Sequence, residues 1–280
     1  MSLPLTVLSG AESSGRHRPL NRRPWTAETC LDLYGLKVGV RSNRPEILDQ
    51  VLPRLPTGWQ HANSTQLDRL YSLCVDGADE VTLYRGPRCL VQNAAPENAL
   101  ARLEFDVELF VVENNPARVF VHAGVVGWQE RAIVIPGRSY SGKSTLVAAM
   151  CRAGATYFSD EYALFDASGM IYPYPRPLRL RATSAGLAPV AADLNLHPGD
   201  GPLPMGLVVL THYRPGTILQ LRVISPGEAL LMLLGNTMSA RRRPHIVLQS
   251  LQRALTSGRV FTGPRGEADE TAERLLRMAG

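Results

Sequence analysis

One eight-residue segment constrains this chain more than any other. Gly137, Arg138, Ser139, Tyr140, Ser141, Gly142, Lys143 and Ser144 match the pattern G-x-x-x-x-G-K-[ST] in full. The two glycines free the backbone to turn successive N–H groups inward, where they can surround an anion. A helix opening at Lys143 would add its positive N-terminal end to that nest. In such a loop the lysine bridges the terminal phosphates of a nucleotide and the last hydroxyl, here Ser144, ligates Mg²⁺. The surroundings suit the motif. An apolar run at 132–135 precedes it as a strand, and Leu146, Val147 and Met150 give an apolar face to a helix over 143–153 that Gly154 stops. Lys37 and Lys143 are the only lysines, and one of them falls on the motif. The expected ligand is a nucleoside triphosphate with Mg²⁺, and the expected binding segment is 137–145, Thr145 included.

Composition narrows the class. With 280 residues, 45% hydrophobic and 20% charged, the chain can bury a real core in one large domain or a main domain with a smaller one. No apolar run approaches the roughly 18 residues that cross a bilayer. Leu3, Leu5, Val7 and Leu8 form a short apolar start without a preceding basic region, a poor signal peptide. A cytoplasmic protein is expected. Cys30, Cys74, Cys89 and Cys151 are widely spaced, with no C-x-x-C pair, and read as reduced, mostly buried thiols. A formal charge of +5 suits an anionic ligand or an acidic partner. No aromatic residues interleave the basic ones, so no specific nucleic-acid partner is expected.

Residues 1–25, rich in Ser, Gly, Arg and Pro, read as a flexible lead-in. Strand-like runs at 36–40, 70–75, 81–84 and 89–91, with a short helix at 45–51, make 26–95 a small α+β domain. A helix over 97–113, with Leu100, Leu103, Val107 and Val111 on one face, leads into the remainder, 96–280, which carries the phosphate loop. There, strands are expected at 119–121, 132–135, 156–165, 171–172, 207–210, 218–224 and 260–261. Helices are expected from the capping box Ser225/Glu228 to about 238, over 244–257 and over 267–279. The alternation predicts an α/β core, and its hairpin-like spacing argues against a fully parallel sheet.

Phosphate transfer would need a carboxylate to steer the metal or take a proton. Asp160 and Glu161 follow the strand beyond the loop helix, where an acid could reach Mg²⁺; the competing reading is a solvated turn pair. His122 lies on the strand before the loop strand and reads either as a core histidine or as part of the site. Arg176, Arg179 and Arg181, in a proline-stiffened stretch, could face phosphate or an acidic acceptor, or simply line an edge. Arg241, Arg242 and Arg243 read as a solvated linker between helices.

The stretch from His122 to Asp160 resembles the catalytic domain of HPr kinase/phosphorylase. The shared order is a histidine and a small residue (Ala123), the phosphate loop, a helix, a glycine (Gly154), a short strand and two consecutive acids. That family is in turn related to the nucleotide core of phosphoenolpyruvate carboxykinase. The resemblance implies an α/β nucleotide-binding domain of HPr kinase/carboxykinase type with a mixed sheet, beside the smaller N-terminal α+β domain. It implies ATP as the nucleotide, Asp160 as base toward an acceptor serine, and Glu161 as the neighbouring acid. It further implies His122 beside that base, and Ser144, Asp160 and Glu161 around Mg²⁺. Glu161 stands where the family has Asp, Arg138 where it commonly has an acid, and the family's second signature is replaced by the proline-arginine stretch. This describes a divergent branch. The expected activity is an ATP-dependent kinase acting on a hydroxyl, a serine of a small protein or peptide. The alternatives are a non-catalytic ATP-binding sensor and a small-molecule kinase of the same fold. Homo-oligomerisation is left open.

Overall fold

The computed structural model describes residues 24–280 apart from 57, 78–79, 139–140, 177, 183–185 and 190–195, with backbone alone for 179–182 and 186–189. Two mixed sheets organise the chain. The first contains β1 (Ala27–Leu33), β2 (Leu36–Ser42), β3 (Gln60–His61), β4 (Arg69–Asp76), β5 (Glu80–Arg85) and β6 (Arg88–Ala94), in the order β3-β1-β2-β4-β5-β6. β2 and β4 run parallel, joined through α1 (Pro45–Val51); the other neighbours are antiparallel. β1 has no counterpart among the strand-like runs of the sequence, because Glu28, Thr29 and Asp32 dilute its apolar pattern. Its pairing with β2 defines it, through a left-handed turn at Tyr34 (φ 56°) and Gly35 (φ 89°) in which Asp32 Oδ1 accepts the Gly35 N–H at 2.6 Å.

Helix α2 (Pro96–Asn114) opens with proline at its first position and lays Leu100, Leu103, Val107 and Val111 on the first sheet. Phe120, Leu164 and Tyr174 of the second sheet's region join that same core.

The second sheet runs β11 (Ile171–Tyr172), β10 (Tyr162–Phe165), β7 (Val119–Trp128), β8 (Arg131–Pro136), β14 (Met205–Tyr213), β16 (Arg259–Arg265), β15 (Arg222–Val223), while β9 (Thr156–Ser159) pairs with the far half of β7. β12 (Arg179–Ala182) and β13 (Gly186–Pro189) form a separate antiparallel pair. β8, β14 and β16 are mutually parallel, whereas β7, β10 and β11 are antiparallel. β8 is apolar on both faces because helices cover both. Ile133 and Ile135 share a core cluster with residues of α3 (Lys143–Arg152) and α6 (Ala268–Ala279); Ala132 and Val134 share another with residues of α4 (Pro226–Leu234) and α5 (Pro244–Leu255).

Several expectations are corrected. The strand expected at 218–224 shrinks to the two residues of β15, an edge strand that pairs with β16. α4 starts at the expected cap, where Ser225 Oγ accepts the Glu228 N–H at 3.2 Å, but stops at Leu234 rather than 238. Asn236 and Thr237 fold back there, donating to Met232 O and Leu233 O. The arginine triplet is more than a solvated linker. Arg242 pairs with Glu113 (3.0 Å) and Asn114 (3.1 Å), and Arg243 donates to Pro116 O (3.0 Å), which staples the α4–α5 loop onto the end of α2. Cys74 is buried, but Cys89 is exposed and the other two cysteines are half-buried; none of the four is in a disulfide.

Asp106 fixes α2 to the first sheet. Its side chain, in a residue only 3% exposed, accepts from Tyr71 Oη (2.7 Å) and from Arg85 Nη1 (3.0 and 3.2 Å), with Arg69 at 3.6 Å. Removing a buried carboxylate strands the cations around it. Asp106→Ala is expected to lower the unfolding free energy by about 3 kcal/mol in chemical denaturation; an unchanged midpoint would show the cluster to be incidental.

Candidate functional site

Between β8 and α3 the chain forms the 137–144 loop. Gly142 caps α3 in the left-handed region (φ 80°), and a side chain there would also collide with the guanidinium of Arg265. At Gly137 an added Cβ would lie 2.7 Å from Ser141 Oγ, so this glycine is required for room rather than for φ. The Ser141 N–H donates to Arg138 O (3.2 Å), closing a turn; the Arg138 side chain points to solvent. Ser139 and Tyr140 lie outside the described residues. Ser144 is half-buried and Thr145 exposed in the first turn of α3. Gly124 on β7 lets that helix approach, since a Cβ there would meet Val147 Cγ2 at 2.6 Å.

Lys143 is only 7% exposed. Its Nζ donates to Arg138 O (3.0 Å) and to His122 Nε2 (3.1 Å). The tautomer of His122 follows from its other nitrogen. Nδ1 lies 3.0 Å from the carbonyl of Glu161, which can only accept, so Nδ1 carries the proton and Nε2 offers its lone pair to the ammonium. Burial, then the Lys143 charge, pushes His122 down to about 4, so the ring is neutral at neutral pH. Burial likewise lowers Lys143, against the nearby charges of Glu161 and Asp160.

The acid pair occupies the β9–β10 turn. Buried Ser159 shapes it, its Oγ accepting the N–H groups of Glu161 (3.1 Å) and Tyr162 (3.0 Å). The Glu161 carbonyl also accepts the Ala123 N–H (3.1 Å), which registers the turn on β7. Although its side chain is 42% exposed, Glu161 is pushed up to about 6 by burial of the carboxyl among protein groups, with the charges of Glu108 and Asp160 adding to it. Asp160 Oδ1 lies 3.0 Å from Tyr157 Oη and shares that hydroxyl's one hydrogen with Arg176 O.

The structure therefore brings Lys143, His122 and the acid pair together. Arg176 is placed differently from expectation. Its guanidinium pairs with Glu104 (2.8 Å) and Glu108 of α2, so it is committed within the protein, and its carbonyl faces Tyr157 Oη (2.9 Å). The side chains of Arg179 and Arg181 lie outside the described residues. Sequence reasoning missed Glu104, Glu108, Tyr157 and Arg265. The two glutamates carried an i,i+4 signal on α2; the tyrosine and Arg265 carried none. Among the described residues no three His, Cys, Asp or Glu side chains cluster as a self-sufficient metal site. The available donors, Asp160, Glu161 and Ser144, are all oxygen, which suits a hard cation that takes its remaining ligands from phosphate and water.

No protein-family model and no curated protein matches the chain. Among solved structures it is similar to the Hpr(Ser) kinase/phosphatase from Coxiella burnetii, at 17% identity and a TM-score of 0.30, over 57% of this chain and 99% of that one. A likeness at that level carries no residue roles across.

His122 generates a prediction for the nucleotide-free protein. Its proton affinity is lower folded than unfolded, so the stability it contributes is complete above about pH 6.5 and is lost as the pH falls toward about 4. Glu161, raised when folded, acts in the opposite sense on both proteins compared. Melting temperatures from about pH 7.5 to about pH 5 should fall more steeply for wild type than for His122→Asn; parallel curves would mean that the ring is not held neutral.

Proposed function

We propose that this protein binds ATP with Mg²⁺ at the 137–144 loop and transfers the terminal phosphate to a hydroxyl, that of a serine in a small protein or peptide. One observation carries the reading. The buried ammonium of Lys143 is aimed by Arg138 O and by the lone pair of a neutral histidine, at the start of α3 and beside two carboxylates. A lysine whose neighbours orient it without forming a close ion pair keeps its charge available for an anion.

In this scheme Lys143 and the N–H groups opening α3 hold the terminal phosphates. Ser144, with Asp160 and Glu161, would hold the Mg²⁺, whose chemistry is to neutralise charge between phosphate oxygens. Asp160 takes the proton of the acceptor hydroxyl as its oxygen bonds to phosphorus and the bond to the departing ADP oxygen breaks. Tyr157, donating to Asp160 Oδ1, orients that carboxylate. His122 sets the direction of Lys143. The serine acceptor rests on the resemblance of residues 122–160 to HPr kinase/phosphorylase, and the adenine base on the same footing.

Two variants test the scheme. Lys143→Ala should remain folded yet weaken Mg-ATP binding by roughly a hundredfold or more in calorimetry, the loss of several charge-assisted contacts. Asp160→Asn should keep ATP affinity and lose phosphate transfer by about 10²–10⁴-fold, measured with labelled ATP on the acceptor recovered from a lysate of the source cells. Undiminished ATP affinity in the first variant would remove the basis of the scheme. Wild-type turnover in the second would reassign the base, and tight ATP binding with no labelled acceptor would favour a nucleotide sensor.

A further inference from the structure

Arg265, the last residue of β16, reaches under the 137–144 loop from behind. It is only 3% exposed. Every hydrogen bond it makes among the described residues ends on a backbone carbonyl: Nη1 on Gly266 O (3.0 Å), Nη2 on Gly142 O (3.0 Å) and Ser141 O (3.4 Å). Its Nε is buried with no partner among the described residues. The neutral ring of Tyr213 lies 5.5 Å from the guanidinium carbon, a partial compensation only, and the nearest acid that acts on it, Glu267, is exposed and bonded to Tyr213 Oη at 2.8 Å. Burial lowers its proton affinity, but a guanidinium stays charged. A buried cation without a carboxylate is costly unless something compensates it.

The two carbonyls it grips point to what that is. The Ser141 carbonyl shares a peptide unit with the Gly142 N–H, and the Gly142 carbonyl shares one with the Lys143 N–H. A positive charge on the oxygen side of a peptide unit polarises its N–H and makes it a stronger donor. These N–H groups stand at the start of α3, where no intrahelical carbonyl can satisfy them. Beside them Ser141 Oγ is also buried, with no partner among the described residues.

We infer that Arg265 is a charge reserved for a bound polyphosphate: it acts through the Gly142 and Lys143 amides, and the ligand supplies its missing counter-charge. It is a positioning residue, since the loop backbone separates it from the anion. The inference rests on nucleotide binding at the loop and adds a second cation to Lys143. It also explains why Gly142 admits no side chain on its far side: Arg265 occupies that space.

The test uses the full chain, with ATP and inorganic tripolyphosphate as probes in the presence of Mg²⁺. Arg265→Gln should bind both about tenfold or more weakly, the loss of a charge-assisted interaction. Its melting temperature without ligand should match or exceed that of wild type, while the stabilisation added by tripolyphosphate shrinks. Arg265→Lys, which keeps the charge, should retain most of the affinity. A Gln variant that binds like wild type, or that fails to fold, overturns the inference, because the arginine is then either idle or a structural staple. A Lys variant as weak as Gln overturns it too, by making shape rather than charge the active property. Wild-type protein that binds neither probe defeats the nucleotide reading itself, whereas binding that is indifferent to Arg265 defeats this inference alone.

Discussion

The arrangement depends on the hydrogen bond between the Lys143 ammonium and the lone pair of His122 Nε2. A protonated imidazole would repel the lysine, so the contact requires a neutral ring of one tautomer. That tautomer is imposed from the other side, where Nδ1 donates to the Glu161 carbonyl. The carbonyl is in turn placed by Ser159 and by pairing with β7. The His122 N–H donates to Asn236 O just beyond α4, and its carbonyl faces the Gly137 N–H. One β7 residue thus ties together the loop, the acid turn and the end of a helix. The orientation of these side chains is set by main-chain bonding.

β7 can do this because it is long and divided. Its first half pairs with β10 and its second with β9, so the acid turn between those strands lies against the middle of β7, where His122 and Gly124 sit. Small residues at that point matter as much as the histidine, since Gly124 admits Val147 and brings the start of α3 within reach of the ring.

What the sequence made legible follows from the range of the interactions involved. The loop, the helix after it, α2 and the mixed character of the sheet are written in local spacing and periodicity. The acid pair could be set near the loop by the order of elements alone, but its adjacency to His122 rested on the family resemblance, because 39 residues separate His122 from Glu161. The fate of Arg176 was not readable, because nothing local distinguishes an arginine aimed at phosphate from one closed by Glu104 and Glu108. β1, with its diluted apolar pattern, and the two-residue β15 depend on pairing rather than propensity. Arg265 looks in sequence like any other arginine at the end of a strand; its burial and its carbonyl partners are purely tertiary.

Charge is distributed unevenly across the site, and the unevenness has a direction. On the loop side stand two cations, Lys143 and Arg265, oriented by carbonyls and a neutral ring and closely paired with no carboxylate among the described residues. Opposite them Glu161 is held near pH 6 with the charges of Glu108 and Asp160 close by, and Arg176 neutralises that crowding only in part. Each half carries a cost that the other does not fully relieve. An anion would satisfy the first half and a small divalent cation the second. A metal-bound polyphosphate offers both at the required adjacency, which neither a free anion nor a free metal ion does. That bipolar demand supports the proposal of a magnesium-bound nucleoside triphosphate over either component alone.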